Sequence, residues 1–201
     1  MIQQVTRMSS GPKNHFFGYY GINPWDRTGQ LHLALETDFH EHRPIVGDTA
    51  TVGTVDRRTG EFNPVGSTSA FNLQQGAMLH WIGGGADEEI TYNAWEDGRV
   101  VARAYHPVTS ATRTIGSAIA SVSPDRRTAM GLDFARMAHC RPVVGYANDM
   151  EPAQIDPSRR TTGSSCSISK AGDHDWPCPS RRWSGRVGTQ CKGAASRGSI
   201  T

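Results

Sequence analysis

The chain has 201 residues, of which 36% are hydrophobic and 20% are charged, and its formal net charge is +2. So small a charge gives no ground for a nucleic-acid partner, and no apolar run approaches the roughly 20 residues of a membrane span. The 22 glycines and 11 prolines indicate many turns, as in an all-β protein. The N-terminus lacks a signal-peptide pattern and the four cysteines lack zinc-site spacings, so we expect a cytoplasmic protein.

The first structural unit is predicted to follow a polar, irregular lead-in over residues 1–14. An aromatic run, HFFGYY, comes next, then a turn and a strand at residues 31–36. A polar loop is expected over residues 37–48. The stretch TATVGTVDRRTGEFNPV, residues 49–65, then predicts a strand, a tight turn at 57–60 and a second strand.

The second and third units are predicted from similar alternation and turn signals. The second unit contains strands at residues 76–82, 89–93, 100–106 and 112–115, with the two-residue turn Asp97-Gly98 between the middle pair. The third contains strands at 118–122 and 129–134, joined by a turn at 124–127. Residues 135–146 are predicted as a loop that enters a further short strand.

The chain repeats itself with a period of about 50 residues. The segment RVVARAYHPVTSATRTI, residues 99–115, echoes the hairpin at 49–65, with His106 in the place of Asp56. The turn at residues 23–29 is echoed at 123–129, two periods later. Such a period, with strands in every unit, is typical of β-propeller blades. The predicted fold class is therefore all-β, a partial β-propeller of about three four-stranded antiparallel blades.

Four segments carry a resemblance to a known family: HFFGYYGINPWDRTGQLHLALETDF, FNLQQGAMLHW, EITYNAWEDGR and SPDRRTAMGLDFARMAHCRPVVGYA. Over about residues 12–147, the chain resembles bacterial propellers of the oligogalacturonate-lyase-like, TolB-like group. The resemblance implies a propeller of about seven blades, of which residues 15–150 would form the N-terminal part. It also implies that the metal-binding histidines and glutamine of the lyases lie in later blades. No residue of this chain inherits those roles.

The composition changes beyond residue 156 to Ser, Arg, Gly, Cys and Trp, with almost no large aliphatic residues. Disorder and a Cys-rich module are two interpretations. A frameshift is the third, since codons read one base earlier permit DDGIFLLDLE, a turn and an apolar strand, at residues 161–170. We expect a disordered, frameshifted tail over residues 151–201. The third blade should then keep an unpaired edge, and the three tail cysteines should form no disulfide with one another.

Candidate ligand-binding residues recur at the expected blade entrances: His15, Tyr20, Asp38, Gln75, Arg136 and His139. The aromatic run that begins at His15 predicts either a sugar-stacking platform or an inter-blade core. Arg136, His139 and Arg141 are suited to a carboxylate ligand, or equally to surface salt bridges.

The stretch DFHEH at residues 38–42 places an acid and two imidazoles at alternate positions. An extended strand would bring these three side chains to one face, where they could hold a divalent cation. A solvated polar loop would separate them, and this is the favoured interpretation. No catalytic residue and no cofactor is assigned, although a divalent metal belongs to the full-length family.

Three functions stay open, because no Ser-His-Asp order, phosphate loop or paired-carboxylate motif is visible. The preferred one is a ligand-binding propeller for a carbohydrate or a small acidic molecule, inactive as a fragment. The second is a lyase or hydrolase of uronate sugars whose catalytic residues lie in missing blades. The third is a scaffold for protein partners. Convergent His and Arg residues would favour the first two, and an exposed apolar patch would favour the third.

Overall fold

The computed structural model describes residues 5–150 and 164–167. These residues form an all-β structure of three antiparallel sheets with one short α-helix. The sheets follow one another along the chain, and each meanders from strand to neighbouring strand. Short connections between antiparallel neighbours account for this topology, because tight turns join such strands directly.

The first sheet has the order β1-β2-β3-β4. Its strands are β1 (Asn14–Phe16), β2 (Leu31–Thr37), β3 (Ala50–Asp56) and β4 (Phe62–Thr68). The alternation LHLALE in β2 sends its leucines to one face, where they join the main hydrophobic core. The strand predictions at residues 31–36 and 49–65 are confirmed.

The second sheet has the order β5-β6-β7-β8, with β5 (His80–Ile82), β6 (Glu89–Glu96), β7 (Arg99–Tyr105) and β8 (Thr112–Ser117). The predicted turn Asp97-Gly98 joins β6 to β7, and both residues have the positive φ that this two-residue turn requires. Strand β5 begins four residues later than predicted. Asn72 and Gly76 instead bond to each other through their backbones, and Met78 has a φ of 52°.

The third sheet has the order β11-β10-β9, with β9 (Ser121–Val122), β10 (Thr128–Gly131) and β11 (Ser164–Ser167). Strand β11 lies in the tail and pairs with β10 from Thr128 to Gly131. The prediction that this edge would stay unpaired is therefore wrong. The rest of the predicted disordered tail, residues 151–163 and 168–201, lies outside the described residues, as does the pairing of its cysteines.

The two hairpins that echo each other in sequence also match in hydrogen bonding. In the first, Asp56 Oδ1 accepts from the backbone nitrogens of Arg58 (2.8 Å) and Thr59 (2.9 Å). In the second, His106 Nδ1 accepts from the backbone nitrogens of Val108 (3.2 Å) and Thr109 (3.4 Å). An imidazole nitrogen thus replaces a carboxylate oxygen as the acceptor that closes the turn.

Both hairpins also carry a register shift at equivalent positions, between Val52 and Gly53 and between Ala102 and Arg103. These shifts lie fifty residues apart, as the turns do. A bulge bends and twists its strand, so the two sheets share the same local distortion. The repeat seen in the sequence is therefore a repeat of structure.

Apolar side chains hold the sheets face to face. The largest core cluster combines first-sheet residues such as Leu35 and Val52 with second-sheet residues such as Trp81 and Ile90. A second cluster joins Ile82 and Ala104 of the second sheet to Ala129 of the third. Burial of this apolar area is the main stabilising contribution to the stack.

Asn93 forms a fully buried polar hub in β6. Its side chain accepts from the Ile119 backbone nitrogen at 2.8 Å and donates to the Ile119 carbonyl at 2.9 Å. It also lies 3.0 Å from the hydroxyl of buried Tyr146, whose ring stacks on Phe134 with centroids 4.7 Å apart. The hub therefore ties the second sheet to the connection before β9 and to the segment after the helix.

A second polar cluster, the turn clamp, consists of Arg27, Glu88 and Arg126. Arg126 forms an ion pair with Glu88, and both side chains are only 14% exposed. Arg126 also donates to the Trp25 carbonyl at 3.2 Å, and Arg27 donates to the Gly83 carbonyl at 3.3 Å. The clamp links the connections between the first two strands of all three sheets.

The only α-helix among the described residues is α1 (Phe134–Cys140), where a strand end and a loop were predicted. The Asp133 side chain caps it by accepting from the Arg136 backbone nitrogen at 3.0 Å. Phe134 and Ala138, one turn apart, form its buried face, and Pro142 follows its end. Cys140 is disulfide-bonded. Neither this helix nor any other in the described part of the chain is long and apolar enough to cross a bilayer.

Candidate functional site

Three connecting segments meet around a shallow pocket of about 120 Å³. They are the β2–β3 loop, the β4–β5 loop and the segment that follows α1. The pocket is lined by Arg43, Pro44, Phe71, Asn72, Leu73, Gln74, Pro142, Val143, Gly145 and Ala147. Since β2 and β4 run in the same direction in the first sheet, both of their following loops leave that sheet at the same end.

Asn72 holds two of these segments together and is buried. Its Oδ1 accepts from the backbone nitrogens of Gln74 (3.0 Å) and Gln75 (2.7 Å), which folds the β4–β5 loop into a tight turn. Its Nδ2 donates to the Val144 carbonyl at 2.9 Å, which fixes the segment after α1. One buried amide therefore fixes the positions of two of the three segments that form the pocket wall.

Aromatic packing fixes the third segment. Phe71, fully buried, lies under the pocket with its ring centroid 6.4 Å from that of Phe39. The imidazole of His42 stacks on Phe39 at 4.2 Å, and its Nδ1 donates to the Arg43 carbonyl at 2.9 Å. These contacts anchor the backbone that carries Arg43 to the hydrophobic core.

Arg43 gives the pocket its charge. Its side chain is exposed and, within the part of the chain that the structure describes, it forms no ion pair. None of the described residues that line the pocket is acidic. A guanidinium group in this position presents several N–H donors in the geometry that a carboxylate accepts.

Two of the six predicted site residues, His15 and Asp38, lie near each other at the edge of the first sheet. His15 Nε2 is 3.0 Å from Glu36 Oε2, while Lys13 Nζ is 3.3 Å from Glu36 and 3.4 Å from Asp38. The His15 ring stacks on Phe62 at 4.9 Å, and its Nδ1 contacts Ser9 at 2.9 Å. Both residues are thus engaged by neighbours within the sheet and its lead-in.

Gln75 lies on the β4–β5 loop, and Arg136 and His139 lie on α1, which precedes the third pocket segment; none of the three lines the pocket. Gln75 is 8% exposed, and its Oε1 is buried with no hydrogen-bond partner among the described residues. Arg136 and His139 belong to α1, where Arg136 is half-buried and His139 is exposed. Arg136 and His139 therefore lie close to the candidate site in sequence but are not part of the pocket surface.

Tyr20 is 81% exposed in the β1–β2 connection, where its ring packs on Tyr19 at 5.1 Å. Phe16 and Phe17 of the same aromatic run pack against the main core instead. Among the described residues, no hydrogen bond or ion pair joins any two of the six predicted site residues.

The DFHEH stretch forms a loop, because β2 ends at Thr37. Its polar groups go to separate partners: Asp38 to Lys13, His40 to Glu41, and His42 to Phe39. Among residues 5–150 and 164–167, no group of three His, Cys, Asp or Glu side chains is placed to hold a metal ion.

Sequence reasoning missed most residues of the pocket, including Arg43, Phe71 and Asn72. A usable signal was present, since an Asn two residues before Gln74 is typical of a side-chain-closed turn. Nothing in the sequence says that this turn meets the loop carrying Arg43. That contact depends on how sheets and loops pack in three dimensions.

The most perturbed histidine lies away from the pocket. His80 in β5 is 6% exposed, and burial lowers its pKa to about 4. Its chain neighbours Leu79 and Trp81 belong to the main core, whereas Ile82, on the same face of β5 as His80, belongs to the cluster shared with the third sheet. Its Nε2 is buried with no hydrogen-bond partner in the described part of the chain. The neutral imidazole is therefore the form that the folded state retains at neutral pH.

Comparisons with known proteins found no relative of this chain. No protein-family model, no curated protein and no solved structure matches it. The function proposed below therefore rests on the residues of the site itself.

Proposed function

We propose that the chain is part of a ligand-binding β-propeller that takes a small acidic ligand at the loop end of its sheets. The observation that carries the proposal is the pocket lined by Arg43, whose guanidinium forms no ion pair with another described residue. A concave, mainly apolar site with a few polar groups is the usual form of a small-molecule site. None of the described lining residues is acidic, which favours an anion over a cation.

The propeller part of the proposal is supported by the repeat of hairpins and by the sequence resemblance to TolB-like propellers. Two successive four-stranded meanders pack face to face, and a third sheet follows them. Stacked meanders of this kind are the building units of propellers. Ligands of a propeller commonly bind where the loops of several blades converge, as the pocket loops do.

A lyase that acts on uronate sugars is the first alternative. In the part of the chain that the structure describes, the pocket is lined by no histidine, lysine, tyrosine or carboxylate that could serve as a general base. Catalytic groups would have to come from other segments. Ultraviolet detection of the conjugated double bond that β-elimination creates in oligogalacturonate would establish this alternative.

A scaffold for protein partners is the second alternative, and one observation favours it. Ile45 and Val46 are each 64% exposed and directly follow Pro44 at the pocket, while Val143 on the opposite wall is 40% exposed. Exposed apolar residues around a pocket are typical of interaction surfaces. A peptide with an acidic and an apolar side chain would suit this surface.

Binding measurements with matched variants test the proposal. Calorimetric titration should detect galacturonate or a simple carboxylate such as 3-methylbutanoate, and it should detect no binding of neutral galactose. Arg43→Gln should weaken acid binding, whereas Arg58→Gln should leave it unchanged, because Arg58 is equally exposed but lies in the β3–β4 turn. Equal affinities for the acids and for galactose would overturn the proposal.

A further inference from the structure

The polar groups of the pocket are too few to receive a sugar. Of its ten lining residues, only Arg43, Asn72 and Gln74 have polar side chains. Both acceptor positions of Asn72 Oδ1 are occupied by backbone nitrogens, and one of the two N–H groups of its Nδ2 donates to Val144. The second N–H of the buried Asn72 and the exposed amide of Gln74 are the remaining neutral polar groups of the described lining side chains.

A uronate ring carries several hydroxyl groups besides its carboxylate. Each hydroxyl that leaves water without a new partner lowers the affinity, because its hydrogen bonds to water are lost. Besides Arg43, the described side chains of the pocket offer the amide of Gln74 and one N–H of Asn72 for all of them. Sugar hydroxyls would therefore be desolvated against Phe71, Leu73 and the two prolines.

An apolar body fits the same surface well. The cavity of about 120 Å³ is close in size to an engineered apolar cavity of about 150 Å³ that stays dry and binds benzene. Pro44, Phe71, Leu73, Pro142, Val143 and Ala147 supply its apolar lining. Transfer of a branched or cyclic hydrocarbon group from water to such a lining is favourable.

We infer that the pocket binds a small monocarboxylate with an apolar body, and not a sugar acid. This inference rests on the proposed function, since both place the carboxylate on Arg43. The hydrocarbon group packs on the accessible apolar side chains of Leu73 and Val143, and the carboxylate stays at the mouth, where Arg43 donates to it. A single charged residue in the lining matches a single negative charge on the ligand.

Three probes separate the contributions that the ligand's negative charge and its hydrocarbon group make to the affinity. They are 3-methylbutanoate, its neutral amide, and galacturonate. Calorimetry should give an affinity for 3-methylbutanoate at least about tenfold higher than for either of the others. Arg43→Gln should lower it about fivefold or more. Val143→Phe, which narrows the cavity, should lower it at least as much.

Val108→Phe and Arg58→Gln are the controls, since both positions are exposed in hairpin turns at the end of the first two sheets opposite to the pocket. They should leave all affinities unchanged. Galacturonate binding as tightly as 3-methylbutanoate, with Arg43→Gln still disruptive, would overturn this inference and leave the proposed function intact. Absence of binding by every carboxylate would overturn both. Should a variant not fold, the comparison of acid and amide on the unchanged chain decides the question.

Discussion

The buried imidazole of His80 makes stability depend on pH in a defined window. Its pKa of about 4 in the folded state lies below the ordinary value of 6.5, so the unfolded chain binds more protons between these values. The contribution of neutral His80 is therefore fully present above pH 6.5 and is lost as the pH falls towards 4. Protonation of His80 alone produces this loss of stability, and no carboxylate has to change its charge.

We expect the free energy of unfolding to fall by about 2 kcal/mol more between pH 7 and pH 5 in the unchanged chain than in His80→Phe. The variant keeps a ring of similar size and removes the titrating group. Urea unfolding at each pH measures the difference, and other titrating groups cancel in the comparison. Parallel pH profiles for the two proteins would contradict this account of His80.

Among the substitutions proposed for stability, Asn93→Ala should lower the free energy of unfolding most. Asn93→Ala leaves the backbone nitrogen and carbonyl of Ile119 without their buried partner, so we expect a destabilisation of about 3 kcal/mol. Tyr146→Phe removes one hydroxyl from the same hub and should cost about 1 kcal/mol. Chemical denaturation measures both, and exposed Asn63→Ala serves as the control. A cost for Asn93→Ala no larger than that of the control would disprove the hub.

The paired hairpins make a prediction at the scale of elements. Ser110 occupies a positive φ of 56° where the equivalent hairpin has Gly60 at 72°. Because glycine adopts this conformation without steric cost, Ser110→Gly should stabilise the protein by about 1 kcal/mol. Gly60→Ser should destabilise it by about as much, and thermal unfolding compares the two. A stabilising Gly60→Ser would show that the turns are not equivalent.

The turn clamp predicts how the sheets are held at the end away from the pocket. Glu88→Gln leaves the nearly buried guanidinium of Arg126 without its ionic partner, so we expect a loss of about 2 kcal/mol. Hydrogen exchange should speed up first in β9 and β10, which the clamp holds to the second sheet. Glu96→Gln is the control, because its pair with Arg103 is more exposed and should contribute less than about 1 kcal/mol. Uniform exchange changes in Glu88→Gln would contradict a local role.

The alternation of apolar and polar residues and the residue types at turns predicted most strands and turns, because both signals are local in the sequence. The strands of the first two sheets, the Asp97-Gly98 turn and the 50-residue repeat follow from side chains that neighbour each other in the sequence. Helix α1 was missed since its cap, Asp133, and its short apolar face at Phe134 and Ala138 resemble the end of a strand. Strand β11 was missed because its pairing with β10 is a tertiary contact.

The candidate site was predicted less well, and for a physical reason. Charged and aromatic residues were chosen by type, yet His15 and Asp38 bond within their own sheet edge, while Tyr20 lies on the surface. The residues that shape the pocket are mostly apolar or proline and carry no motif. Their significance depends on three loops that meet only after the sheets have packed.

At the scale of the whole molecule, we propose that these loops form one binding site for an acidic ligand. Titration with 3-methylbutanoate, followed by amide chemical shifts, locates the bound ligand. We expect shifts concentrated in residues 43–47, 71–75 and 143–147, and none in the hairpin turns at 57–60 and 106–110. Shifts spread over both ends of the sheets, or confined to the hairpin turns, would contradict it.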